Sequence, residues 1–228
     1  MFEIEIGIPE TLSKREQLPG SNHYINTGNQ GIYGQRPIRL AGDCTGDYEQ
    51  WLKQISAIAD DINGKEVTLE LDAEPGFYYY GIASVSTTKE NGVISTFEIN
   101  IQADPFKYQN DQAVTVSQVT STKMAVQGDF ETPCIIELTP INDTISFTIK
   151  GAARSPVTGQ PEDITIKNLK QGKKVIIDGE ACTVLQGVTN KFADADMWEF
   201  PSLLPGNNTL TFSSALCEVT IKYKPRYF

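Results

Sequence analysis

Apolar and polar residues alternate along most of this 228-residue chain, and a period of two marks strands that bury one face. Val67, Leu69 and Leu71 follow this rhythm, as do Val114 and Val116; Cys134, Ile136 and Leu138; Ile145, Phe147 and Ile149; Ile164 and Ile166; Val175 and Ile177; and Leu210 and Phe212. The final run, Cys217, Val219, Ile221 and Tyr223, repeats it. One stretch departs from the pattern. From Asp47 to Ile62 the apolar residues Trp51, Ile55, Ile58 and Ile62, flanked by Leu52 and Ala59, recur at helical spacing and predict one amphipathic helix. Asp47 is placed to cap its first turn, with Gln50 at capping-box spacing, and Asn63-Gly64 to end it with left-handed residues. A helix with a single apolar face needs a sheet to cover.

Turn residues divide the strands. Asn91-Gly92 is expected to join Phe77–Val85 to Val93–Ile101 through a type I′ hairpin, and Asp178-Gly179 to make a second two-residue hairpin. Gly20 to Gly34, with glycines at 28, 31 and 34, reads as an extended arm or hairpin rather than a phosphate loop. The strand-like Gln35–Leu40 follows it, and Pro37 discourages a helix there. The block ending Asp104-Pro-Phe-Lys-Tyr108 and the polar Gln109–Gln112 after it read as a linker. Two domains are therefore expected, 1–108 with the helix and 109–228 with strands alone. The fold class is mainly β, and the many short strands spaced by turns predict antiparallel sandwiches.

Composition narrows the function. No apolar run is long enough to span a bilayer, and Met1–Ile6 alternates acid and apolar residues instead of forming a signal peptide. No membrane partner is expected, and the protein is read as made in a cytoplasm. The net charge of −10 is uneven: residues 1–108 hold 16 acids and 8 bases, giving −8, and residues 109–228 hold 13 and 11, giving −2. That balance argues against gripping nucleic acid, which needs clustered Lys and Arg. The four cysteines show no CxxC spacing, so no metal or other cofactor is expected; Cys134, Cys182 and Cys217 sit in apolar runs and read as reduced core thiols.

Catalytic chemistry finds little support. The one histidine, His23, lies in the glycine-rich arm, so neither a Ser-His-Asp set nor HExxH is available. Asp60-Asp61, Asp72/Glu74 and Asp194/Asp196/Glu199 are acidic clusters, read as solvated turns rather than glycosidase acids or a calcium site. Arg36 and Arg39, three apart in one strand, point to opposite faces. Lys173-Lys174 reads as edge protection. Asn142-Asp-Thr144 and Asn207-Asn-Thr209 match glycosylation sequons but read as turns. Trp198 stands near acids, where an indole can stack on a sugar, although a core tryptophan is the more common outcome. No enzymatic function is expected.

The ordered segments resemble the distal tail protein family of siphophages infecting Gram-positive bacteria. Gln17-Leu-Pro-Gly20, Arg36–Leu40 and Tyr48–Ile58 are similar to its first block, and Gly64–Tyr79 and Phe97–Tyr108 continue it. Glu199-Phe-Pro-Ser-Leu-Leu-Pro-Gly-Asn-Asn-Thr-Leu-Thr-Phe212 and Val219–Arg226 are similar to its closing strands. The resemblance implies a virion protein at the distal end of the tail. The first domain would be a β-sandwich with one helix and a projecting hairpin, forming a hexameric belt around the channel; the second would be galectin-like and splayed outward. Implied partners are other copies of the chain, the major tail tube protein, a tail-associated lysin or tail fibre protein, and receptor-binding proteins. DNA would pass through the channel without specific binding. The galectin sugar site does not carry over, because residues 109–228 hold no histidine and Trp198-Glu199 lacks basic partners.

On that reading the ring interface is expected at Gly28, Gly31 and Gly34 of the arm, at Asn91 and Gly92, and along the helix rim. The alternative is a carbohydrate-binding adhesin that contacts host cell-wall sugars through Trp198.

Overall fold

The computed structural model describes residues 2–9, 15–17, 24–26, 33–44, 47–90, 93–155 and 157–228. It is mainly β and divides into two compact units, Met1–Lys107 and Tyr108–Phe228. No helix among the described residues is long and apolar enough to cross a membrane.

The first unit contains β1 (Phe2–Ile6), β2 (Arg15–Gln17), β3 (Tyr24–Asn26), β4 (Arg36–Asp43), the helix α1 (Tyr48–Ile62), β5 (Glu66–Glu70), β6 (Tyr78–Glu90), β7 (Val93–Ala103) and the short β8 (Lys107–Tyr108). An antiparallel sheet runs β1-β4-β7-β6, with β5 on the far side of β6. Register explains its single apolar face. Ile6 stands opposite Ile38, Ile38 opposite Ile101, Leu40 opposite Ile99 and Ala83 opposite Ile101, so the apolar set of each strand falls on the same side. The helix covers that side: Ile55 is buried with Ile94 and Phe97, Trp51 meets the Phe97 ring at 6.0 Å, and Ile62 packs on the Ile38–Ile101 cluster. The amphipathic reading of 47–62 therefore holds.

The ends of α1 refine it. The Asp47 carboxylate accepts the Glu49 N–H at 3.0 Å and the Gln50 N–H at 3.5 Å, satisfying two donors that the first turn leaves open. At the other end only Gly64 takes a left-handed conformation (φ +74°), whereas Asn63 is extended. The reason is a side-chain bond. Asn63 Oδ1 accepts the Val85 N–H at 2.9 Å, tying the helix end to β6.

β2 and β3 pair as a separate hairpin, Arg15 opposite Asn26 and Gln17 opposite Tyr24. β6 and β7 are paired down to Glu90 opposite Val93, with a register shift at Thr88/Lys89. Asn91 and Gly92 between them lie outside the described residues. Gln109–Gln112 is not a free linker. The Gln109 amide donates to the Pro225 carbonyl at 3.3 Å, its side chain accepts the Tyr227 hydroxyl at 2.8 Å, and Gln112 already begins a strand.

The second unit is a sandwich of two antiparallel sheets. One joins β10 (Ser121–Val126), β19 (Gly206–Phe212), β12 (Thr144–Arg154), β13 (Pro161–Leu169) and β17 (Ala195–Asp196), in that order. The other runs β16 (Thr189–Asn190), β15 (Thr183–Gln186), β14 (Val175–Asp178), β11 (Thr132–Pro140), β20 (Cys217–Tyr223) and β9 (Gln112–Ser117), with β18 (Ser202–Leu203) also on β11. One buried cluster draws on both, with Phe147, Ile149, Ile164, Ile166, Leu210 and Phe212 from the first and Cys134, Ile136, Leu138, Val175, Ile177, Val219 and Ile221 from the second. Ile145, expected inside, is 87% exposed. It precedes the point where β19 joins β12, at Ile149 opposite Phe212, so that flank of the strand is open.

The hairpin at Asp178-Gly179 forms, but with a four-residue loop, because Asp178 pairs with Thr183. The Asp178 carboxylate accepts the N–H groups of Glu180 and Ala181, both at 2.9 Å, and Cys182 takes the positive φ of 53° that closes the turn. Cys182 is consequently exposed on a loop, whereas Cys134 and Cys217 are buried strand thiols. Gly179 is needed by close approach: a Cβ there would stand 2.1 Å from the Pro201 carbonyl oxygen and 2.9 Å from that of Cys134.

Candidate functional site

Asp194, Asp196 and Glu74 of the acidic clusters carry structural bonds. Lys191, almost buried, donates to Asp194 Oδ2 at 2.7 Å and to the Asn168 carbonyl at 3.2 Å, while Asn168 Nδ2 donates to Asp194 Oδ1 at 2.7 Å. These bonds hold the Asp194 carboxyl below its usual range and fix Asn168 in a left-handed conformation (φ +54°). Asp196 instead meets Lys167 at 3.2 Å. Neighbouring acids thus serve different strands and do not converge on a substrate position. Asp60, Asp61 and Asp72 are exposed. Glu74 accepts the Tyr79 hydroxyl at 3.0 Å and Lys107 at 2.9 Å. Burial, followed by the hydrogen bond to and repulsion from Glu74, pushes the Tyr79 phenol up to about 12. The hydrogen bond from Lys107 is the main cause that draws the Glu74 carboxyl down.

Arg36 completes this group. Its guanidinium lies 5.7 Å from the Tyr79 ring centre and donates to the Pro105 carbonyl at 2.9 and 3.1 Å. Arg39 emerges on the other face of β4, paired with Glu98 at 2.5 Å, as an odd spacing along a strand requires. Lys174 beside its hairpin does more than shield an edge: with Lys222 it brackets Glu137, at 2.6 and 2.5 Å. Sequence spacing could not show this, because the three residues come from separate strands or loops. Among the described residues no group of three or more His, Cys, Asp or Glu side chains is placed to hold a metal ion.

Of the residues expected at a ring interface, Gly34 is half-buried, next to Tyr33, whose ring meets Phe106 edge-on at 5.8 Å. Gly28, Gly31, Asn91 and Gly92 lie outside the described residues, as does His23. On the helix rim Tyr48 and Leu52 are exposed. Trp198 overturns the core expectation, being 89% exposed. It follows β17, the outermost strand of its sheet, so its side chain leaves the sandwich instead of entering it.

Residues 127–227 match the family model described as the siphovirus-type tail component, C-terminal domain. Among curated protein sequences nothing matches the chain. Among solved structures, the SPP1 Dit (gp 19.1) protein, described as a paradigm of hub adsorption apparatus in Gram-positive infecting phages, has a TM-score of 0.73 at 14% identity. That similarity covers 100% of this chain and 94% of the SPP1 protein. The phage P2 baseplate in its activated conformation with Ca is similar at a TM-score of 0.43 and 12% identity, covering 97% and 90% of the two chains. The chain therefore shares its fold with the SPP1 Dit protein, and its residues 127–227 match the siphovirus-type tail component C-terminal domain, in line with its resemblance to the siphophage distal tail proteins.

Proposed function

We propose that the protein is a non-enzymatic structural component of a siphophage tail tip, a hub at the distal end of the tail in the virion. The observation that carries this reading is the coincidence of the tail-component match over residues 127–227 with a Dit-like fold spanning both units. The bonding of the acidic clusters supports it, since Asp194, Asp196 and Glu74 are each engaged by a lysine.

In detail, the first unit serves as a belt, six copies forming a ring that joins the tail tube to the tail-tip or lysin protein. The second, galectin-like unit anchors receptor-binding proteins. The residues assigned to ring contacts are Gly28, Gly31 and Gly34 in the arm, Asn91 and Gly92 between β6 and β7, and the rim of α1. With −8 on residues 1–108, six copies bring −48 to the ring, a field that lets DNA pass without adhering.

The test is mass in solution with imaging. A monomer is 25.2 kDa, so six copies would run near six times that value, alone or with the tail tube protein, and appear as rings in negative stain. A chain that stays monomeric with the tube protein and is absent from purified virions would sink the reading.

A further inference from the structure

Trp198 sits beside an open groove of about 450 Å³ lined also by Pro161, Glu162, Asp163, Thr165, Asp196 and Met197. An indole presents one of the largest apolar surfaces of any side chain, about 150–250 Å² when buried. Leaving it 89% exposed contributes almost nothing to folding. The backbone around it is well tied, because Asp196 pairs with Thr165 and Ala195 with Ile166 on β13. The ring is therefore carried by an anchored stretch of backbone as a flat apolar surface at the edge of a sheet.

The outward side of β13 supplies polar groups next to that platform. Thr165 and Thr148 share a hydroxyl hydrogen bond of 2.8 Å. Lys150 meets Asp163 at 2.7 Å, and Lys167 meets Asp196 at 3.2 Å. Donors and acceptors thus alternate over a few ångströms, and these two carboxylates are already compensated. The groove lining itself holds acids and no Lys or Arg, which disfavours a phosphate-bearing polymer. A ligand that fits must carry an apolar face for the indole, many hydroxyls and no negative charge. Pyranose rings have this combination: axial C–H bonds on one face, hydroxyls around the edge.

We infer that the groove beside Trp198 is a binding site for neutral saccharide units, an accessory contact carried by the second unit in addition to the hub role. The indole stacks on the sugar ring, Asp163 and Asp196 accept hydroxyl protons, and the Thr165 hydroxyl donates to a ring or hydroxyl oxygen. The site does not depend on ring formation, so its failure would leave the hub reading standing.

The full-length chain is titrated with neutral trisaccharides of glucose, galactose and N-acetylglucosamine, with poly(glycerol phosphate) and choline alongside. Binding is read on the sugar by saturation-transfer NMR, which needs no tryptophan, and acrylamide quenching of tryptophan fluorescence locates it in the wild type. At least one neutral trisaccharide is expected to bind with a dissociation constant of about 10 mM or tighter and shield one of the two tryptophans. Trp198→Ala should weaken that binding about tenfold with unchanged thermal melting, Trp198→Tyr should retain part of it, and Asp163→Asn should weaken it less. The inference is overturned if none of the three sugars binds, if Trp198→Ala binds as tightly as the wild type, or if only the polyanion or choline binds.

Discussion

Glu137 stands on the outward side of β11, in the middle of a sheet, where a carboxylate would be left without water unless paired. Lys174 and Lys222 supply the pairing, and their hydrogen bonds lead the causes that hold its carboxyl below the usual range. A depressed folded-state value means that the stabilisation is complete above the unfolded-state value, about 4.3. It is lost as pH falls below that point through the folded value. Glu137→Gln should cost about 1 kcal/mol at neutral pH, a modest figure because both lysines are half-exposed. It should also flatten the fall in melting temperature of the second unit between about pH 5 and pH 3. An equally steep fall in the variant would assign the acid sensitivity elsewhere. Tyr79 gives the opposite sign. Its phenol is pushed up to about 12, so the folded state keeps a proton that the unfolded state releases near 10, and stability drops as pH rises between those values. An absorbance titration at alkaline pH should show Tyr79 among the late-ionising tyrosines, and Tyr79→Phe should reduce the late step by one group while weakening the first unit by about 1 kcal/mol. Neither network was legible in the sequence. Glu74, Tyr79 and Lys107 share no periodicity, and a charge tally cannot tell a paired carboxylate from a solvated one.

At the scale of elements, the pattern of apolar positions was informative wherever one face alone is buried. The helix from Tyr48 to Ile62 and the alternating strands β11, β13, β14 and β20 followed from it directly. It failed where local bonding overrides pattern. Asn63 looked like a left-handed stop but is held extended by Val85, and Asp178 draws two amide protons and lengthens its turn to four residues. It failed also where an apolar residue lies past the covered part of a strand, as at Ile145, or after an edge strand, as at Trp198. Periodicity records which residues share a face; it does not record whether another layer lies over that face. The helix test follows from the covered case. Ile55 is 7% exposed between Ile94 and Phe97, so Ile55→Asp would bury a carboxylate with no cation in that apolar cluster. The cost is about 3–5 kcal/mol, enough to unfold a unit of ordinary stability. Calorimetry should show the transition of the first unit lost or shifted far down. Melting like the wild type would mean that α1 does not cover the sheet.

For the whole molecule, the uneven charge sets how assembly should respond to salt. Residues 1–108 carry −8 and residues 109–228 carry −2, so the charge is concentrated in the unit assigned to the ring. Bringing six such units together adds repulsion that each copy escapes when free, and this opposes whatever apolar contact closes the ring. Salt shortens the reach of that repulsion, from about 30 Å at 0.01 M to about 10 Å at 0.1 M. The apolar contribution does not weaken over the same range. The ring fraction, measured by light scattering after size exclusion at fixed protein concentration, should therefore rise between these two salt concentrations. Replacing exposed acids of the first unit, such as Glu66 and Glu70 on β5, with glutamine should give the same rise at low salt. A ring fraction that falls as salt is added would instead mean that oppositely charged groups on neighbouring copies hold the ring together, with Arg39, Lys53 and Lys65 the first bases to substitute in search of those pairs.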